Sequence, residues 1–195
     1  DVNESTYKFA VNKNGEIRFG LGAVKGVGEG AVEAIVNERK ENGNYTSIFD
    51  VTKRVDLRAA NKRTFENMAL AGGFDSFEGV HRAVYFSDTG DGMTFMEKAL
   101  KFGITHQEAL NSSQVSLFGE ASEVDMPEPE IPRATEWGTM EKLSKEKEVV
   151  GIYLSGHPLD DFKFEMEQFC NLTVKELHHF ENLKGRKELK MAGIV

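Results

Sequence analysis

The sequence has one cysteine, Cys170, which excludes a disulfide framework and a cysteine cluster for zinc. No run approaches the roughly 20 apolar residues of a membrane-spanning helix. The N-terminus lacks a signal-peptide pattern. A cytoplasmic location without membrane contact is therefore the default expectation. Proline is scarce, and three of the four prolines (Pro127, Pro129 and Pro132) crowd into one stretch. The first residue is not Met and the last, Val195, falls in an apolar run, as expected of a piece of a longer polypeptide.

An excess of positive charge is also missing. The net charge is −8, which argues at first against nucleic acid. The distribution matters more than the total. Lys53, Arg54, Arg58, Lys62 and Arg63 face a single nearby anion, Asp56, whereas Glu120, Glu123, Asp125, Glu128 and Glu130 lie in a stretch without a cation. A locally basic surface can bind phosphate on an acidic protein.

Hydrophobic residues make up 39% of the chain, enough for a modest core. The pattern predicts a mainly α fold with a small β-hairpin. Tyr7–Val11 and Glu16–Leu21 flank Asn12-Lys13-Asn14-Gly15, a tight-turn sequence. A helix is expected over Glu29–Glu41, with Ala31, Val32, Ile35 and Val36 on one stripe and Gly43 at its end. Further helices are expected at Ser47–Arg54, Asn61–Ala71, Val80–Phe86, Met93–Phe102, Thr139–Val149 and Asp160–Phe169. Gly119–Pro132 reads as an extended, mobile linker. Leu189–Val195 reads as a strand.

The corner Gly26-Val27-Gly28-Glu29-Gly30 carries the chemistry. Joined to a helix on each side, it would form a helix-hairpin-helix. Glycine permits positive φ and removes the Cβ that would hold a ligand away. The N–H groups opening the next helix can then bond phosphate oxygens, with Lys25 as an adjacent cation. Such contacts carry no base information. The plain alternative is a turn between packed helices that binds nothing. A second alternative is an enzyme, because Gly26-x-Gly28-x-x-Ala31 fits the dinucleotide fingerprint. That fingerprint must follow a buried strand, and Gly20–Lys25 makes a poor one. No Gly-Lys-Ser/Thr follows, which excludes a P-loop.

The run Ile17–Gly30 resembles the tandem helix-hairpin-helix region of bacterial DNA polymerase III alpha subunits. The likeness continues through Phe49-Asp50, Asn61-Lys62-Arg63-Thr64-Phe65-Glu66, Ala71-Gly72-Gly73-Phe74-Asp75 and Glu146–Leu159. It is weakest over Asp75–Ser113. The resemblance implies DNA contacts at Lys25, Gly26, Val27, Gly28, Glu29 and Gly30, with Lys62 and Arg63 in a second, more degenerate hairpin unit. It further implies a division into a DNA-binding region (1–75), a helical extension (76–118), an acidic linker (119–135) and a connector (136–195). In the family an oligonucleotide-binding barrel follows, with Leu189–Val195 as its first strand. The implied role is to grip the primer-template duplex while the parent polymerase adds nucleotides. Its catalytic aspartates and magnesium ions lie upstream, so no catalytic, metal or cofactor residue is expected here.

Gln114-Val115-Ser116-Leu117-Phe118 is similar to the peptide by which bacterial polymerases hold the sliding clamp. Leu117 and Phe118 would fill one apolar groove, Gln114 would fix register, and an extended setting would let the peptide adapt. The clamp and other subunits of the polymerase assembly are the implied protein partners. Elsewhere, His157 is expected to order a turn, and Asp88–Gly92 lacks the ligand pattern of a calcium loop. His178-His179 has no third ligand at metal spacing. Trp137 is expected to pack locally, with base stacking as its functional alternative.

Overall fold

Asn12 sets the first element. Its side-chain oxygen accepts from the Asn14 and Glu16 N–H groups (3.0 and 2.9 Å), and Gly15 takes φ +81°. The turn joins β1 (Ala10–Val11) to β2 (Ile17–Arg18), antiparallel, with Ala10 opposite Arg18 and Val11 opposite Ile17. The structure, a computed structural model, describes residues 1–115, 126–178, 181, 185 and 188–194. Two compact units divide the chain, Asp1–Ile152 and Tyr153–Val195.

After β2 comes a correction. A single 3-10 turn, Leu21–Ala23, stands where the first helix of the hairpin is expected. The N–H groups of Leu21 and Gly22 donate to Thr6 O and Tyr7 O (2.8 and 3.1 Å), so the backbone is already paired with the preceding segment. That approach needs glycine: a Cβ at Gly20 would lie 2.5 Å from Tyr7 O, and one at Gly22 2.3 Å from the Tyr7 ring.

α1 (Glu29–Asn42) buries Ala31, Val32, Ile35 and Val36 and stops at Gly43, φ +83°. α2 (Ile48–Arg54) and α3 (Lys62–Leu70) open on Ser47 and Asn61, whose side chains accept from Asp50 N and Thr64 N (both 3.1 Å). Such a cap contributes about 1 kcal/mol. The core is an aromatic chain. Phe65 stacks on Phe74, Phe74 meets Tyr85, Tyr85 meets Phe95 and Phe95 meets Phe49, at centroid distances of 5.6–6.1 Å.

Val80–Phe86 contains a 3-10 turn at Arg82–Phe86 rather than an α-helix. α4 (Phe95–Val115) runs far beyond the Phe102 end expected from the sequence. Gly103 does not end it, because a Cβ there would sit 2.4 Å from Thr52 O: the glycine lets α4 press against α2. Gln107 then reaches across and donates to Thr52 O and Val55 O (3.0 and 2.8 Å), satisfying carbonyls at the end of α2.

Residues 126–138 form no helix or strand, yet they are tied to the first unit. Met126 and Ala134 pack on its core, Glu128 pairs with Lys53 (2.8 Å), and His81 Nε2 lies 3.1 Å from Ala134 O. Trp137 packs on Phe86 (5.5 Å) and under Lys145 (4.6 Å). α5 (Thr139–Val150) ends at Gly151, φ +84°, and buries Glu146 against Arg82 (3.1 Å).

The second unit holds a 3-10 turn (Asp160–Phe162), α6 (Lys163–Phe169) and α7 (Val174–Leu177), the last opened by a Thr173–Glu176 capping box. His157 orders the turn before them: Leu159 N–H donates to its Nδ1 and its own N–H donates to Asp160 Oδ2. Residues 188–194 form no strand among the described residues; the strand expected over Leu189–Val195 is one with sheet partners outside them. A strand needs a repeating ladder. Here the backbone of Lys190 and Glu188 bonds Asn171, largely through the Asn171 side chain.

Candidate nucleic-acid interface

Val24 and Val27 are buried and pin the glycine corner to the core, so Val27 can offer a ligand only its backbone. Lys25, Gly26, Gly28, Glu29 and Gly30 are exposed. Gly26 takes φ +75°, which turns the chain into α1. The cap of α1 is Gly28, with φ −80° and ψ 161°, and among the described residues no side chain caps the first turn. The leading N–H groups of an α-helix have no partner within it. Around Gly28 and Gly30 the space a Cβ would occupy is open to 4 Å. The result is a bare, uncapped helix start carrying the positive end of the helix dipole.

The carbonyls of the corner point the other way. Asn67 Nδ2 donates to Lys25 O (2.5 Å) and Thr64 Oγ1 donates to Gly26 O (3.4 Å), both from α3. Lys25 N–H donates to Val149 O of α5 (2.8 Å). α3 thus lies against the corner and brings Arg63 with it: Arg63 Nε is 3.7 Å from where a Gly26 Cβ would stand. The two sequence blocks singled out as binding candidates, Lys25–Gly30 and Lys62-Arg63, are neighbours.

The basic residues separate by partner. Lys25 and Arg63, both exposed, form no ion pair among the described residues. Lys62 instead pairs with Glu97 (2.7 Å) and Glu66 (3.5 Å), and the Glu97 contact raises its pKa. Lys53 is held by Glu128 and stands over the Phe102 ring. Arg54 fastens α2 to α1 through Glu38 and the Gly43 carbonyl, and pairs with Asp50 of its own helix. Arg58 pairs with Asp56. The pairings of Lys62 with Glu97 and of Lys53 with Glu128 were not visible in the sequence because these acids are remote from their partners along the chain.

Gln114 and Val115 close α4, so the extended setting expected for the clamp peptide does not hold there; α4 carries on past Gly103. Ser116, Leu117 and Phe118 lie outside the described residues. No group of three His, Cys, Asp or Glu able to hold a metal occurs among the described residues. Asp88 and Asp91 bind their own turn, through Gly90 N–H and Thr89 Oγ1. The dinucleotide alternative loses its setting, since β2 ends at Arg18 and a 3-10 turn leads into Gly26.

The helix-hairpin-helix motif family model matches residues 1–85, which contain the corner and α1 to α3. The chain is 36% identical over 197 aligned positions to the DNA polymerase III subunit alpha of Escherichia coli strain K12, covering all of this chain and 16% of that protein. It is 34% identical over 196 positions to the same subunit of Vibrio cholerae, again with 16% of that protein covered. The chain belongs to the DNA polymerase III alpha subunit family. It spans about 16% of the length of these curated relatives. The similarity extends over 126–194 as well as the helix-hairpin-helix part. No helix among the described residues is long and apolar enough to cross a membrane.

Proposed function

We propose that this chain grips duplex DNA by its sugar-phosphate backbone, without reading sequence, within a polymerase that performs template-directed DNA synthesis. The observation that carries the reading is the bare start of α1, open at Gly28 and Gly30 and flanked by Lys25 and Arg63, neither in an ion pair among the described residues. A phosphate there would gain backbone donors, the helix dipole and two cations together. The acidic total does not oppose it, because Lys25 and Arg63 make the corner locally basic, and a local basic surface can bind phosphate on an acidic protein.

Binding should weaken with salt. Two cations that neutralise phosphate give a log–log slope of roughly −1.8, at about 0.9 per phosphate. Fluorescence anisotropy with duplexes of unrelated sequence tests this. Equal affinities with that slope support the reading, whereas no binding at low salt or a flat salt response refutes it.

Tethering to a sliding clamp through Gln114–Phe118 is the second part of the proposal. The support is the Gln followed by adjacent Leu117 and Phe118, in a chain of this family. Replacing both by Ala should abolish clamp capture in surface plasmon resonance and spare DNA binding. Magnesium-dependent nucleotide addition, and contacts to other polymerase subunits, are assigned to the larger parent protein.

A further inference from the structure

We propose that α3 acts as the brace that aims the glycine corner, and that Asn67 is its positioning residue. The second hairpin unit would then serve the first, rather than gripping DNA through a helix start of its own. This rests on the reading of the corner as a phosphate contact.

A tight corner exposes carbonyl oxygens as readily as N–H groups, and a carbonyl facing a phosphate repels it. At this corner the carbonyls on either side of Gly26, those of Lys25 and of Gly26 itself, are turned inward. Asn67 takes the Lys25 oxygen, and the Thr64 hydroxyl reaches the Gly26 oxygen at 3.4 Å, a reach it shares with Asn61 Oδ1. With both acceptors held, the N–H groups that follow, at Gly28, Glu29 and Gly30, sit on exposed residues at an uncapped helix start. Asn67 itself also fills the space beside Gly26: a Cβ there would be 3.2 Å from its Nδ2. The side chain therefore fixes the corner from behind and leaves its outer surface clear.

The start of α3 is built differently from the start of α1. Asn61 occupies the Thr64 N–H, and the Lys62 charge is taken by Glu97 and Glu66. Its first turn is capped and its first cation neutralised, the reverse of the bare start at Gly28. Arg63 is the charged side chain of that turn that lies beside the corner without an ion pair among the described residues, so it adds charge to the first site.

The test is Asn67→Ala in the whole chain. Alanine favours helix over asparagine and Asn67 is only half-buried, so the variant should fold. In the 15N-labelled protein without DNA, order parameters of Gly26 and Val27 should fall. Affinity for a random-sequence duplex should drop roughly three- to tenfold, the scale of one lost hydrogen bond, with the salt slope unchanged. Arg63→Ala should do the opposite, lowering the slope by about 0.9 and leaving the corner ordered. If the Asn67→Ala corner stays ordered while affinity falls, Asn67 is a direct contact and the bracing role is overturned. An unchanged corner with unchanged affinity also overturns it. If the wild-type chain binds no duplex, the DNA reading fails separately, and a loosened corner in Asn67→Ala would still support the brace.

Discussion

Lys62 Nζ lies 2.7 Å from a Glu97 carboxylate oxygen, joining the first turn of α3 to the first turn of α4. The contact removes from the candidate interface a cation that the sequence alone would place in it. Lys62→Ala should therefore change duplex affinity less than twofold, whereas Arg63→Ala should weaken it several-fold. Glu97→Gln, which releases Lys62, should strengthen binding. Anisotropy titrations of the three variants at one salt concentration check the order.

The same pair predicts a pH response. Glu97 is held down to about 2, first by the Lys62 hydrogen bond and then by the Thr94 N–H and hydroxyl. A carboxylate whose folded pKa is depressed stabilises the fold fully above its unfolded pKa, about 4.3. That stabilisation is lost as pH falls from there toward about 2. The melting temperature should decline through this window. In Lys62→Met the Glu97 carboxyl should titrate nearer its ordinary value in a 13C-detected NMR titration.

The glycines of the corner should respond in opposite ways. Gly30 lies in the first turn of α1 with open space around it, so Gly30→Ala should stabilise the fold by about 0.5–1 kcal/mol. The added methyl should nevertheless weaken duplex binding. Gly26 has φ +75° and Asn67 close behind it, so Gly26→Ala should destabilise by about 1–2 kcal/mol. Urea denaturation beside DNA titration separates the two effects.

These contrasts show how far the sequence could be read. Local rules placed the hairpin turn at Asn12–Gly15, began helices at Ser47 and Asn61, and set the ends of α1, α2, α3 and α5 within a residue or two. The extent of α4 was hidden because Gly103 reads as a terminator, whereas its role is to admit Thr52 O. The missing first helix of the hairpin was hidden too, because the carbonyls of Thr6 and Tyr7 take the amides of Leu21 and Gly22 from an earlier segment of the chain. At the site, exposure of the glycines was legible in their spacing. Which cations remain available was not, since ion pairing with Glu97 and Glu128 depends on packing between distant segments.

A last structural prediction concerns the link between α5 and the segment after α3. Arg82 is 7% exposed in its side chain and binds Glu146, Asp75 and the Leu70 carbonyl. Glu146 is fully buried, so Glu146→Ala strips a partner from a buried charge and should lower stability by about 3–5 kcal/mol. Asp75 is 42% exposed, and Asp75→Asn should lower stability by about 1 kcal/mol. Chemical denaturation of both variants gives the comparison.

The most direct test is an amide-resolved NMR titration of the 15N-labelled chain with a short random-sequence duplex. The expected result is a salt-sensitive set of shifts centred on Lys25–Gly30 and Arg63, with Lys53, Arg54 and Arg58 little changed. A duplex that binds while the Gly26–Gly30 resonances stay still would contradict the account.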